Sequence, residues 1–244
     1  GKVTFTKVQT QASYYMHVAG KTTLGLIVFN IQKPGMRAFK VYPEIRNGKF
    51  KTTFLFMKGP GRYSIQVFGH PSKRSRQFYG LCYFSVRASR SVPKRVIKKI
   101  NINKKIIRYV NRVKGTRVGR GECWDLAQKA LDLHGATWWR TKLYGKLINP
   151  NKDEILPGDI IQFYRVRTKR RFPGGKTRYT TMGSPDHTAI IYKVYSNKKF
   201  KIAHQNTRGR RYVVFDTINM KYKISGRYWI YRPLPGLVKL SELR

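Results

Sequence analysis

The chain has 244 residues, with 52 Lys and Arg against 10 Asp and Glu, a formal charge of +42. At 41% hydrophobic and 14% aromatic residues it can bury a substantial core, which excludes global disorder. No apolar run approaches the ~20 residues needed to span a bilayer, and two cysteines, Cys82 and Cys123, are too few for a disulfide framework.

Residues 1–90 read as all-β. Val3–Val8, Tyr14–Val18 and Thr23–Ile31 are strand candidates, followed by Phe39–Ile45. Asn47-Gly48 is a tight hairpin signal, and Phe50–Met57 is the expected partner strand. Gly59-Pro60-Gly61 turns the chain into the alternating Arg62–Phe68, and Leu81–Val86 closes the set. Seven strands at this spacing predict a β-sandwich, with Cys82 in its core. The run Gly48-Lys-Phe to Lys58-Gly-Pro-Gly-Arg-Tyr63 resembles small immunoglobulin-like domains that accompany papain-like enzymes.

Residues 91–118 read as a basic linker and helix. Ile102, Ile106, Ile107, Val110 and Val113 recur at helical spacing. Between Lys94 and Arg117 there are ten Lys or Arg and no acid. Lys94, Arg95, Lys98, Lys99, Lys104, Lys105, Arg108 and Arg112 form either a solvated charged face or a contact surface for a polyanion. Glu44 is the one acid before Glu122, so the first half is the better candidate for such contact.

Residues 119–244 read as helix first, then antiparallel sheet, an α+β layout. Gly119-Arg120-Gly121-Glu122 delivers Cys123 to the start of a helix whose apolar face is Leu126, Ala127, Ala130, Leu131 and Leu133. A thiol at a helix N-terminus meets unpaired N–H groups and the positive end of the dipole, which favour thiolate. The alternative is a buried cysteine in an amphipathic helix. Trp138 and Trp139 end the helix or open its loop and read as core or lid. Leu156-Pro157-Gly158-Asp159 introduces the apolar strand 160–164. Residues 165–179 form a basic excursion with a Pro173-Gly174-Gly175 tip, carrying Lys169, Arg170 and Arg171 as further polyanion candidates. Asp186-His187 heads a second strand, and residues 198–204, 212–215 and 226–232 supply three more.

A cysteine nucleophile needs a base within reach, and the base needs a group to orient it. His187 and His204 on neighbouring strands meet that need. Asn206 shares a face with His204 through the period of two, and Gln205 points the other way and is the weaker candidate. The combination Gly-Glu-Cys-Trp-Asp-Leu-Ala, Leu-Pro-Gly-Asp, His187-Thr-Ala-Ile and His204-Gln-Asn resembles the NlpC-type and CHAP (cysteine, histidine-dependent amidohydrolase/peptidase) superfamily. The resemblance spans about residues 103–235 and implies a circularly permuted papain-like fold. It also implies that Cys123 attacks an amide or ester carbonyl, that His187 activates it, that His204 or Asn206 orients His187, and that the Cys123 N–H contributes to an oxyanion hole. The pattern departs at Trp124, where many members carry a small residue, so the substrate class stays open.

The sequence therefore leads to an N-terminal all-β sandwich followed by a papain-like helix-plus-sheet domain, a cysteine hydrolase of amidase or peptidase type with a basic surface. No cofactor or metal is expected, because no clustered ligand set is present. The expected partner is an anionic polymer, either cell-wall polymer or nucleic acid. The alternative is a non-catalytic assembly protein of this fold within a virion or ribonucleoprotein particle, with assembly partners of its own. A start at Gly1 fits processing, as in secretion.

Overall fold

The computed structural model describes residues 1–6, 8–36, 38–71, 79–138, 144–238 and 243. The fold is sheet-rich α+β, with strands far outnumbering helices among the described residues. In chain order the first strands are β1 (Val3–Phe5), β2 (Gln11–Ala12), β3 (Tyr15–Thr22), β4 (Leu26–Gln32) and β5 (Phe39–Val41). Then come β6 (Ile45–Arg46), β7 (Lys49–Leu55), β8 (Gly61–His70) and β9 (Tyr79–Ala88). The helices are α1 (Lys94–Ile100), α2 (Ile102–Arg112) and α3 (Cys123–Leu133). The remaining strands are β10 (Ala136–Thr137), β11 (Lys146–Ile148), β12 (Ile160–Arg171), β13 (Thr177–Ser196), β14 (Lys199–His204), β15 (Val214–Asn219), β16 (Lys223–Arg232), β17 (Leu234–Pro235) and β18 (Leu237–Val238). A 3-10 turn, Met220–Tyr222, precedes β16.

Contacts divide the chain into two units. The first holds residues 1–101, 134–139 and 234–244, and the second holds 102–133 and 140–233.

In the first unit, one five-stranded sheet runs β1-β3-β7-β18 with β6 paired to β7, and another runs β2-β9-β8-β4-β5. One hydrophobic cluster draws Met16, Val18, Phe50 and Phe54 from the former and Ile27, Phe29, Ile65 and Val86 from the latter. Asn47 and Gly48 both take positive φ, as the Asn-Gly hairpin turn requires. Cys82 is exposed, which corrects its placement in the core. A bulge between Val67 and Phe68 shifts the β8–β9 register, so Cys82 and Tyr83 are exposed in succession and the simple alternation fails. Trp138 is buried and bridges Lys40, whereas Trp139 lies outside the described residues.

The segment expected as a basic linker followed by a helix holds two helices, α1 where the linker was expected and α2 over the apolar spacing of residues 102–110. Asn101 takes a left-handed conformation (φ 38°) that caps α1 and breaks the turn before Ile102. Lys94, Arg95, Lys98 and Lys99 are exposed on α1. On α2, Lys104, Arg108 and Arg112 are exposed and Lys105 is half-buried, while Ile102, Ile106, Tyr109 and Val110 are buried.

The second unit is built on a six-stranded antiparallel sheet ordered β11-β16-β12-β13-β14-β15. One cluster, including Phe163, Ile191, Phe200, Ile202 and Ile230, forms part of its core. Helix α3 packs on β13. The basic excursion is not separate from the sheet. β12 and β13 pair from Ile160↔Ile190 out to Arg171↔Thr177, with one irregularity at Arg165. His187 is consequently in the middle of β13 rather than at its head.

Candidate active site

The turn before α3 is held by its own third helical residue. The Asp125 carboxylate accepts hydrogen bonds from the N–H of Arg120 (2.7 Å) and of Glu122 (3.2 Å), reaching back over the helix start as the acid of a capping box does. Gly119 (φ +60°) and Gly121 (φ +84°) are required here. A Cβ on Gly119 would lie 2.9 Å from Asp125 Oδ2, and one on Gly121 would lie 2.9 Å from the Arg211 backbone oxygen. This fixes Cys123 as the first residue of α3, half-buried.

A second clamp comes from Gln205. Its side chain is fully buried, donates to the carbonyls of Val118 and Glu122 (both 2.8 Å), and accepts from the Val118 N–H (3.2 Å). Gln205 therefore positions the cysteine turn, a role that its side of the strand alone did not reveal.

His187 and His204 sit on the paired strands β13 and β14. His187 Nε2 lies 2.7 Å from His204 Nδ1, and the rings meet edge to face. His204 Nε2 lies 3.2 Å from Asp216 Oδ2 on β15. The three strands thus carry one hydrogen-bonded chain from His187 to a carboxylate. Protonation follows from the acceptor at its end. The hydrogen bond from His204 holds the Asp216 carboxyl below the usual carboxylate range, so Asp216 is ionised and His204 Nε2 carries the proton it donates. With His204 neutral, its Nδ1 accepts from His187 Nε2, and His187 Nδ1 keeps its lone pair. Burial, assisted by His204, pushes the His187 pKa down to about 3, so the ring is neutral at physiological pH. Phe163 stacks along it.

Tyr144 lies beside this group. Its hydroxyl is 3.2 Å from Thr188 Oγ1, and Thr188 in turn donates to Gln162 (2.5 Å). Burial pushes the Tyr144 pKa up to about 12, and the nearby Cys123 and Asp186 add to the effect. The same phenol thus senses both the α3 cysteine and the residue preceding His187.

Asn206 is not brought to His187. The strand ends at His204, and Asn206 turns left-handed (φ 57°), so the period-two face is lost. Its amide donates instead to Glu122 Oε2 (2.8 Å), and Glu122 also pairs with Arg211. Asp216, the far end of the chain, was missed by sequence reading because its only signal is position: it pairs with Ile202, two residues before His204. Tyr144 has no sequence signal at all. Asp159 of the Leu-Pro-Gly-Asp motif is structural. It is fully buried and accepts from Arg232 Nε and Nη2 (3.0 and 2.9 Å), Asn103 Nδ2 (2.8 Å) and the Leu156 N–H (2.9 Å). Lys169 is half-buried, and Arg170 and Arg171 are exposed near the end of β12. Among the described residues no cluster of three or more His, Cys, Asp or Glu is arranged to hold a metal.

A cysteine that opens a helix packed on a sheet bearing histidines is the arrangement of a cysteine proteinase-fold domain. The family model of the AIM3/BBC1 cysteine proteinase-fold domain matches residues 98–241, more than half of the chain, and the chain belongs to that family. Among curated proteins, Altered inheritance of mitochondria protein 3 from Debaryomyces hansenii is 30% identical over 143 residues. The match covers 50% of this chain and 15% of that protein, so the chain spans a small part of its relative. Among solved structures, NlpC2 from Trichomonas vaginalis aligns over 92% of this chain and 74% of that chain at 16% identity, with a TM-score of 0.34. The papain-like cysteine proteinase fold expected from the sequence motifs is thereby borne out by the family match.

Proposed function

We propose that the second unit is a cysteine-dependent acyl hydrolase of amidase or peptidase type, with Cys123 as nucleophile and His187 as base. The observation that carries this reading is the His187–His204–Asp216 chain, bonded at 2.7 and 3.2 Å in the sheet on which the Cys123 helix packs. His187 Nδ1 takes the thiol proton, and the Cys123 sulfur adds to the carbonyl carbon of the substrate. The tetrahedral oxyanion collapses, the C–N bond breaks, and His187 returns the proton to the leaving amine. Water then gives a proton to His187 as it attacks the thioester, and the acid is released with the thiol restored. The net change is amide plus water to acid plus amine. His204 and Asp216 are positioning residues that hold the His187 tautomer. The backbone N–H of Cys123 supports the oxyanion.

In this reading residues 1–90 form an immunoglobulin-like targeting sandwich, and residues 119–244 the circularly permuted papain-like domain of NlpC or CHAP type. The exposed cations of α1, α2 and the β12–β13 hairpin hold an anionic polymer. Labelling with an electrophilic acyl probe tests the chemistry. Cys123 should react far faster than a thiol in a short peptide, and both Cys123→Ala and His187→Asn should abolish labelling. Reaction no faster than the peptide thiol would overturn the reading.

A second reading is favoured by the exposure of Lys94, Arg95, Lys98, Arg108, Arg112, Arg170 and Arg171. It is a non-catalytic component packed against nucleic acid or another polyanion. Binding would then weaken steeply with salt and survive Cys123→Ala. Binding that is equal at low and high salt would exclude it.

A further inference from the structure

The β12–β13 hairpin places Arg170 directly opposite Arg178. Like charges at opposed positions on one face of an antiparallel pair repel, since their Cβ atoms are only ~5 Å apart. Both side chains line a cleft of about 400 Å³. Its further cations are Arg208, from the turn after β14, and Lys199, from β14 itself. Asp216 is the one acid in the lining, and its carboxylate is already engaged by His204. Neither Arg170 nor Arg178 forms an ion pair among the described residues, whereas the charge of Arg208 acts on Asp216 without a direct ion pair.

Arg170 is also held in place. The Arg170 guanidinium lies 4.5 Å from the Phe172 ring centre and 5.6 Å from that of Tyr222, and both rings line the cleft. Stacking uses the faces of the guanidinium and leaves its N–H edge for an acceptor. Arg171 and Lys169 belong to the opposite face of β12, where Lys169 lies over Tyr179. The hairpin therefore separates its cations by face. A cleft of this volume falls in the range of small-ligand sites. Four cations around one engaged carboxylate call for a group bearing more than one negative charge.

We propose that this cleft is a binding site for a phosphate-bearing ligand, held bidentately by Arg170 and Arg178 and closed by Arg208. Arginine forks match phosphate oxygens in pairs, and the bound anion removes the repulsion across the hairpin. The site shares Asp216 with the histidine chain, while Cys123 takes no part in it.

The test is calorimetric titration of the whole chain with pyrophosphate at low salt, alongside citrate as a carboxylate of similar charge. Arg178→Gln should weaken pyrophosphate binding by about tenfold or more. Arg171→Gln, which removes the same charge from the other face, should leave it within about twofold, and Cys123→Ala should not change it. A parallel arm uses phosphatidylcholine vesicles with and without phosphatidylinositol bisphosphate. Arg178-dependent capture by the phosphorylated vesicles, with weak pyrophosphate binding, identifies a lipid headgroup as the source. Strong pyrophosphate binding without vesicle capture identifies a soluble ligand. Equal losses in Arg178→Gln and Arg171→Gln, citrate binding as tight as pyrophosphate, or no binding in either arm overturns the proposal. Thermal midpoints of the two variants close to wild type show that the fold is retained in the comparison.

Discussion

Two of the buried polar networks in the second unit are built in opposite ways. Around Asp159 every charge meets its partner. The carboxylate is sealed from solvent, and an arginine, an asparagine and a backbone N–H occupy its oxygens. Around His204 the centre is equally buried, but the chain runs outward at one end to the partly exposed Asp216 and at the other to the neutral His187. A closed network fixes geometry. An open one, with a neutral titratable group at its head, can move a proton. Both begin from an aspartate, and only the surroundings separate a structural aspartate from one placed to serve chemistry.

Breaking the closed network should have the largest effect on stability. Asp159→Ala leaves the Arg232 guanidinium, Asn103 and the Leu156 N–H without their shared partner. We expect a loss of about 3 kcal/mol or more in chemical denaturation. Asp216→Asn should sharpen the contrast. It should cost about 1 kcal/mol, because the pair is partly solvated, while it slows probe labelling of Cys123 by at least about tenfold. An Asp216 variant that is as unstable as the Asp159 variant would erase the distinction.

Gln205→Ala stands between them. It strands the Val118 N–H and the Val118 and Glu122 carbonyls in a buried turn, at a cost of about 1–3 kcal/mol. Labelling of Cys123 should fall as its turn loosens, and Gln205→Glu should not restore it, since a carboxylate cannot donate to either carbonyl.

The pH dependence of stability reports the open network. His187 has its folded pKa pushed below the unfolded value of 6.5. Between those two values the unfolded chain binds the extra proton, so stability should fall as pH drops from about 7 towards about 4. The slope for one such group is at most about 1.4 kcal/mol per pH unit. His17 is shifted in the same direction, by burial and then by Lys51, and adds to the trend. Asp216, with its lowered pKa, loses its contribution only at pH values below the ordinary range for aspartate, so it does not confuse this window. Denaturant midpoints at pH 7 and pH 5 should converge in His187→Asn relative to wild type. The smallest effect is expected for Arg211→Gln. Its pairing with Glu122 is about half exposed, and its loss should cost less than about 1 kcal/mol.

Much of this was legible in the chain. The Gly119-Arg-Gly121-Glu-Cys123 turn announces itself because two glycines and an acid three residues on are what a tight entry into a helix needs. The pairing of His187 with His204 follows from two apolar strands joined by a short turn. The Asn47-Gly48 hairpin is equally local. Where reading failed, the cause was register. One left-handed residue at Asn206 ends the alternation and sends that side chain to Glu122. One bulge between Val67 and Phe68 exposes Cys82. The stretch before Asn101, expected as linker, forms α1, which the left-handed Asn101 caps. The return of residues 237–238 to pair with β7 in the first unit has no local signal, because the partner lies far back in the chain.

The sequence by itself determined the fold family, the cysteine at a helix start and the two histidines, since each rests on short-range patterns of turn, period and charge. Tertiary structure alone decided that Asp216 terminates the histidine chain, that Gln205 clamps the cysteine turn and that Arg170 faces Arg178 across a cleft. Those relations depend on which strands become neighbours and on the face to which each residue is turned. Sheet register sets both, and a single bulge or left-handed residue is enough to change it.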